Sequence, residues 1–136
     1  MASAYYSYLA FIEPGSDANL EILKTNLDEF YAKPTITNKP DITLNSRSIT
    51  LTFNDGYAFY INLSNEQHVN GEAKEFADTN DLDWYEKPVD KEKLLSCTSR
   101  LEIYGEDDYN MNYFNDSLYI VETIGAFKGV IVFFLN

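Results

Sequence analysis

The densest chemistry in the chain lies in the stretch LEIYGEDDYNMNYFND, residues 101–116. Glu106, Asp107 and Asp108 stand side by side, and Asn110, Asn112, Asn115 and Asp116 follow among aromatic residues. Hard oxygen donors spaced in this way first suggest a calcium loop. Asp108, Asn110 and Asn112 fit the first, third and fifth positions of the twelve-residue pattern. The sixth position needs Gly for a sharp turn and holds Tyr113; the twelfth needs a bidentate Glu and holds Tyr119. Without its hinge and its strongest ligand, the loop is not expected to hold calcium. Zinc fares worse, because His68 and Cys97 are the only histidine and cysteine.

The same scarcity argues against nucleophilic catalysis. A serine or cysteine nucleophile needs a base, and His68 lies among Gln67, Asn70 and Glu72 in what reads as a helix surface. Cys97 follows Leu94 and Leu95 and reads as a small residue at the edge of the core. No G-x-S-x-G elbow and no glycine-rich phosphate loop occur, and Arg47 and Arg100 are the only arginines. Carboxylate pairs such as Glu102 and Glu122 carry little weight in a chain with 22 acids. The expectation is a protein that is not an enzyme and has no metal or cofactor.

What the acids do offer is a field. Against those 22 acids stand 10 bases, giving a formal net charge of -12 and a pI near 4.3. Such a surface repels nucleic-acid phosphates and anionic lipid and favours a basic partner. No Lys or Arg falls between Arg100 and Lys128, a span that includes Glu102, Glu106, Asp107, Asp108, Asp116 and Glu122. A second base-free run, Asp78–Glu86, carries Asp81, Asp83 and Glu86 around Trp84 and Tyr85. Aromatic anchors within a charged field are the material of tight protein interfaces. The expected contact residues are Asp81, Asp83, Trp84, Tyr85 and Glu86 in one run, and Glu106, Asp107, Asp108, Tyr109 and Tyr113 in the other.

These runs need a scaffold, and 136 residues with 45% hydrophobic and 15% aromatic content suit a single folded domain over 1–136. The opening MASAYYSYLAFIEPG lacks a basic leader region and reads as a strand, Tyr5–Ile12, ending at Pro14-Gly15. Leu20, Leu23, Leu27 and Phe30 recur at helical spacing, with Ser16 or Asp17 as cap and Pro34 as stop. Strands are expected at Asp41–Leu44 and Ser48–Phe53. Asn54-Asp55-Gly56 then turns the chain into a strand at Tyr57–Leu63. The inward set is Ile49, Leu51, Phe53, Tyr57, Phe59, Ile61 and Leu63.

Ser64–Gln67 fits a capping box before a helical stripe of Val69, Ala73, Phe76 and Ala77, which Gly71 weakens. Asp90–Leu95 suits a short helical turn, and Ser99–Tyr104 alternates as a strand with Leu101 and Ile103 on one face. Phe114, Leu118, Val121 and Ile124 imply a helix over Asn112–Ile124, capped by Asn112 or Asn115. The apolar run Gly129–Leu135 reads as a strand buried on both faces and is too short to span a bilayer. The order strand, helix, three strands, one or two helices, strand, helix, strand predicts an α+β sandwich. Its sheet is mainly antiparallel and twisted, with about three helices.

An acidic single-domain α+β chain without catalytic residues resembles the immunity proteins of bacterial toxin systems, including contact-dependent inhibition. The likeness rests on this overall character and on LEIYGEDD…YFNDSLYIVETI…GVIVFF within 101–134. It implies a protein that binds one cognate toxin, often a basic nuclease, and blocks its active site or a surface beside it; a cytoplasmic location is the expectation from the opening without a basic leader and the single Cys97. It transfers no individual residue roles. The alternatives are a phage-type nucleic-acid mimic that blocks a DNA-binding protein, or a small divalent-cation module or enzyme using the acids of 106–122.

Overall fold

The computed structural model describes residues 5–65, 69, 71–75 and 91–134. Its centre is a six-stranded sheet of β1 (Tyr5–Ile12), β2 (Asp41–Leu44), β3 (Ser48–Thr52), β4 (Ala58–Ser64), β5 (Ser99–Gly105) and β6 (Val130–Phe134), in the order β2-β3-β4-β5-β1-β6. Every neighbouring pair is antiparallel. Among the described residues, four helical segments complete the α+β domain: α1 (Leu20–Tyr31), α2 (71–75), α3 (Lys91–Ser96) and α4 (Phe114–Gly125).

The alternation of side chains along each strand divides the domain into two cores. Tyr8 and Ala10 of β1, Ile49 and Leu51 of β3, Phe59 and Ile61 of β4, and Leu101 and Ile103 of β5 form one face. Upon it pack Leu20, Leu23, Leu27 and Tyr31 of α1 with Ile120 and Ile124 of α4. The opposite face is apolar toward β1 and β6, where Leu9, Phe11 and Phe133 meet Val69, Ala73, Leu94 and Cys97. Phe11, Phe59 and Phe133 are fully buried; truncating any of them to Ala would cost about 3–5 kcal/mol.

The hairpin between β3 and β4 follows from its turn residues. Gly56 adopts φ 91, Phe53 N–H donates to Tyr57 C=O at 2.8 Å, and Asp55 Oδ1 accepts from Tyr57 N–H at 3.0 Å. The register then places Ile49 opposite Ile61 and Leu51 opposite Phe59. Ile49, Leu51, Phe53, Tyr57, Phe59 and Ile61 are buried, and Leu63 is partly buried against the same core.

Two local expectations are corrected. Asn19, not Ser16 or Asp17, caps α1, its Oδ1 accepting from Glu21 and Ile22 N–H at 2.7 and 3.1 Å. Ser16 and Asp17 instead tie the β1–α1 loop to the C-terminal part of the chain: Ser16 Oγ donates to Lys128 C=O, and Asp17 Oδ1 accepts from Lys128 N–H at 2.8 Å. Of the expected stripe Phe114, Leu118, Val121 and Ile124, Ile124 is buried and Val121 packs against the core, but Ser117 and Ile120 are buried where Phe114 and Leu118 are expected, so the helix is partly turned. The polar Ser117 can face inward because its hydroxyl donates to Phe114 C=O at 2.6 Å. As the apolar run suggests, β6 packs on both faces, Val130 and Val132 against one core and Ile131 and Phe133 against the other, although it lies at the edge of the sheet rather than inside it and its Phe134 is 61% exposed. A run of apolar residues has the same appearance in either place, since composition does not encode a strand's position in the sheet.

Candidate functional site

The acidic turn leaves β5 at Gly105, and close packing dictates where it goes. A Cβ on Gly105 would lie 2.5 Å from Tyr57 Oη and 3.0 Å from the Phe59 ring, so only glycine lets these aromatics close over the strand end. The Tyr57 hydroxyl donates to Glu106 C=O at 2.8 Å, and the Tyr60 hydroxyl donates to Glu106 Oε1 at 2.7 Å. Tyr60 also stacks on Tyr104 across the β4–β5 ladder, their centroids 5.1 Å apart. That carboxylate raises the pKa of the Tyr60 hydroxyl, because a donor to an anion resists ionisation.

Asp108 folds inward. Only 7% exposed, it accepts from the Tyr6 hydroxyl at 2.6 Å, from Asn112 N–H at 3.0 Å and from Tyr113 N–H at 2.7 Å. It therefore supplies acceptors for N–H groups just ahead of α4, which begins without a side-chain cap at Tyr113. The expected Asn112 or Asn115 cap is replaced by a carboxylate reaching forward from the turn. Tyr113 is 6% exposed, stacked on Tyr57 at 4.1 Å with an interplanar angle of 7°, and its hydroxyl donates to Asp55 at 2.6 Å. Burial, then the Asp55 carboxylate, push the Tyr113 hydroxyl's pKa up; the same bond, then Tyr57 N–H, holds Asp55 below the usual carboxylate range.

With Asp108 and Tyr113 turned inward, the outer surface belongs to others. Tyr109 is 79%, Met111 58% and Phe114 39% exposed, and Glu106, Asp107, Asn110, Asn112 and Asn115 are exposed around them. Met111 holds φ 58, a left-handed conformation uncommon for a residue with a Cβ. Met111 N–H donates to Asp108 C=O at 3.0 Å, and Phe114 N–H to Met111 C=O at 3.3 Å. The strained residue thus completes a tight pair of turns that aims an apolar side chain at solvent.

Of the expected contact residues, Glu106, Asp107 and Tyr109 are gathered on one exposed surface. Asp108 and Tyr113 are not part of it, because the helix start and the aromatic stack claim them. Asp81, Asp83, Trp84, Tyr85 and Glu86 lie outside the described residues. Sequence does not reveal Met111 and Phe114: Phe114 falls in the helical stripe expected to be core, and nothing in the sequence marks Met111 as left-handed.

Glu102, Asp116 and Glu122 are dispersed. Glu102 reaches toward Arg100, which also pairs with Glu72 at 2.6 Å. Glu102 sits opposite Leu9, on the sheet face away from α4, so it and Glu122 are not brought together. Asp116 accepts from the Tyr31 hydroxyl at 2.7 Å, joining α4 to α1, and burial raises its pKa. Among the described residues no group of three or more His, Cys, Asp or Glu is placed to hold a metal ion. A small pocket lined by Ile12, Leu20, Leu23, Leu63, Leu101 and Phe127, with Ala18 and Asn19, brings no ionisable side chain together. No described helix is long and apolar enough to cross a membrane.

No protein-family model, curated protein or solved structure matches this chain.

Proposed function

We propose that the chain is a protein-binding module whose contact surface is the turn 106–112 and the first residues of α4. Its partner is a basic protein. The observation that carries this reading is the placing of Tyr109, Met111 and Phe114 in solvent beside Glu106 and Asp107, within a run that has no base between Arg100 and Lys128. Exposed aromatic and methionine side chains are costly in water and useful at an interface, where their burial slows dissociation. The acids beside them speed encounter with a cationic surface and set its salt dependence. The left-handed Met111 adds local strain, as functional loops often do.

The likeness to toxin-immunity proteins supplies the partner's class: a cytoplasmic inhibitor of a cognate toxin, most simply a basic nuclease. In this role Glu106 and Asp107 occupy the place of substrate phosphates or pair with Lys and Arg at the toxin's cleft. Tyr109 and Met111 anchor the contact. No group of this chain need react.

The test uses a toxin domain encoded beside this chain's gene, with affinity and residual nuclease activity as the readouts. Asp107→Lys should slow association about tenfold at low salt, and Tyr109→Ala should speed dissociation about tenfold or more. If both variants fold and bind like the wild type, this surface is not the interface. If the wild type leaves the toxin active, the inhibitor reading fails.

A further inference from the structure

The two edges of the sheet differ. β2 is four residues long, and its Asp41 and Thr43 are exposed. β6 reads VIVFF, with no charge and no proline, and is the other end of the strand order. Natural sheets guard such edges with charges, prolines or bulges, since unpaired N–H and C=O groups invite another strand. β6 has none of these, and among the described residues no strand lies beyond it.

The ladder decides which groups face out. Glu13 N–H donates to Gly129 C=O at 2.8 Å, and β1 pairs Phe11 with Ile131 and Leu9 with Phe133. In an antiparallel ladder, alternate residues direct their backbone groups to the partner strand. Ile131 and Phe133 therefore turn toward β1, while Val130, Val132 and Phe134 present their N–H and C=O outward. These three positions are symmetric about Val132. A second β6 running antiparallel would place Val132 opposite Val132, and Val130 opposite Phe134, with every outward donor meeting an acceptor.

The local sequence leaves this edge open to a second copy. With a formal net charge of -12, two copies repel, yet no Asp or Glu follows Glu122 in the sequence. Glu13 and Asp17 lie at the start of β6, near Gly129 and Lys128. Phe134, 61% exposed, and Val130 would cover each other across the junction. We infer that β6 is a self-association edge, through which two copies join their sheets across a twofold axis at Val132. This is independent of the acidic contact surface, which lies on the β5–α4 connection.

Sedimentation equilibrium of the full chain over a dilution series, together with Val132→Cys, tests this. The wild type should shift from one to two chains as concentration rises. Phe134→Glu, at an exposed position, should keep the wild-type circular dichroism and remain a single chain. Paired Val132 residues would have Cα atoms roughly 5.5 Å apart, within disulfide range, so mild oxidation should cross-link Val132→Cys dimers. Ile131→Cys, which would face Phe133 of the second copy, should not cross-link. A wild type that stays a single chain throughout overturns the inference. So does a dimer that survives Phe134→Glu or in which Val132→Cys fails to cross-link.

Discussion

Asp108→Ala beside Asp107→Ala separates an inward carboxylate that holds the fold from an exposed one on the contact surface. Asp108 accepts from the Tyr6 hydroxyl and from the N–H groups of Asn112 and Tyr113. Losing a carboxylate cap at a helix start costs about 1–2 kcal/mol. Losing the partner of a hydroxyl bonded to a charged group costs about 1.5–3 kcal/mol. The terms overlap, because all the donors share one carboxylate, so about 3 kcal/mol in total is the working figure. With an unfolding entropy of about 2.1 cal/mol/K per residue over 136 residues, this corresponds to a fall in Tm of about 10 °C. Scanning calorimetry of the variant beside Asp107→Ala is the assay. The exposed Asp107 should change stability by less than about 0.5 kcal/mol. Asp108→Asn retains an oxygen acceptor and should fall between the two, giving a readout even if the alanine variant does not fold. If Asp108→Ala lowers Tm no more than Asp107→Ala does, the carboxylate does not hold the start of α4.

Further outcomes follow from the same packing. Burial foremost pushes up the hydroxyl pKa of Tyr31, Tyr57 and Tyr113, and the bond to Glu106 does so for Tyr60. A tyrosine whose folded pKa exceeds its unfolded value adds stability that is whole below about pH 10 and lost as pH rises beyond it. Alkaline titration followed by phenolate absorbance should therefore show a late group of tyrosines that ionise together with unfolding; a single unperturbed titration in the folded protein would contradict this. Gly105→Ala forces a methyl group against Tyr57 and Phe59 and should lower stability by about 1–3 kcal/mol, read from the urea midpoint. Cys97 is buried, and its thiol is pushed up to about 11 by burial first and Glu13 second. Native protein should thus react with a thiol reagent far more slowly than protein in urea.

The scaffold was largely legible because its signals are local and repeated. Alternation from Ile49 to Ile61 around Asn54-Asp55-Gly56 specifies both the hairpin and its inward face, and Leu20, Leu23 and Leu27 specify α1. What stayed hidden depends on distant partners. Asp108 reads as a surface acid until Tyr6, 102 residues away, is seen to donate to it. Tyr113 reads as an anchor until its stack on Tyr57 is known. The rotation of α4 rests on Ser117, whose hydroxyl is satisfied within its own helix and which therefore costs little to bury. The exposed surface of Tyr109, Met111 and Phe114 emerges only once these neighbours are committed elsewhere.

The position of β1 between β5 and β6 has a consequence for how the chain acquires its shape. Tyr6 and Tyr8 find Asp108 and Ser117 at separations of 102 and 109 residues. β1 therefore has no partner strand until Ser99–Gly105 and then Val130–Phe134 follow it in the chain. β2, β3 and β4 are joined by short connections and can assemble early, whereas docking β1 closes loops of great length. Refolding should be governed by this late closure. During translation, the hydrophobic YLAFI segment lacks its neighbouring strands until β5 and β6 follow.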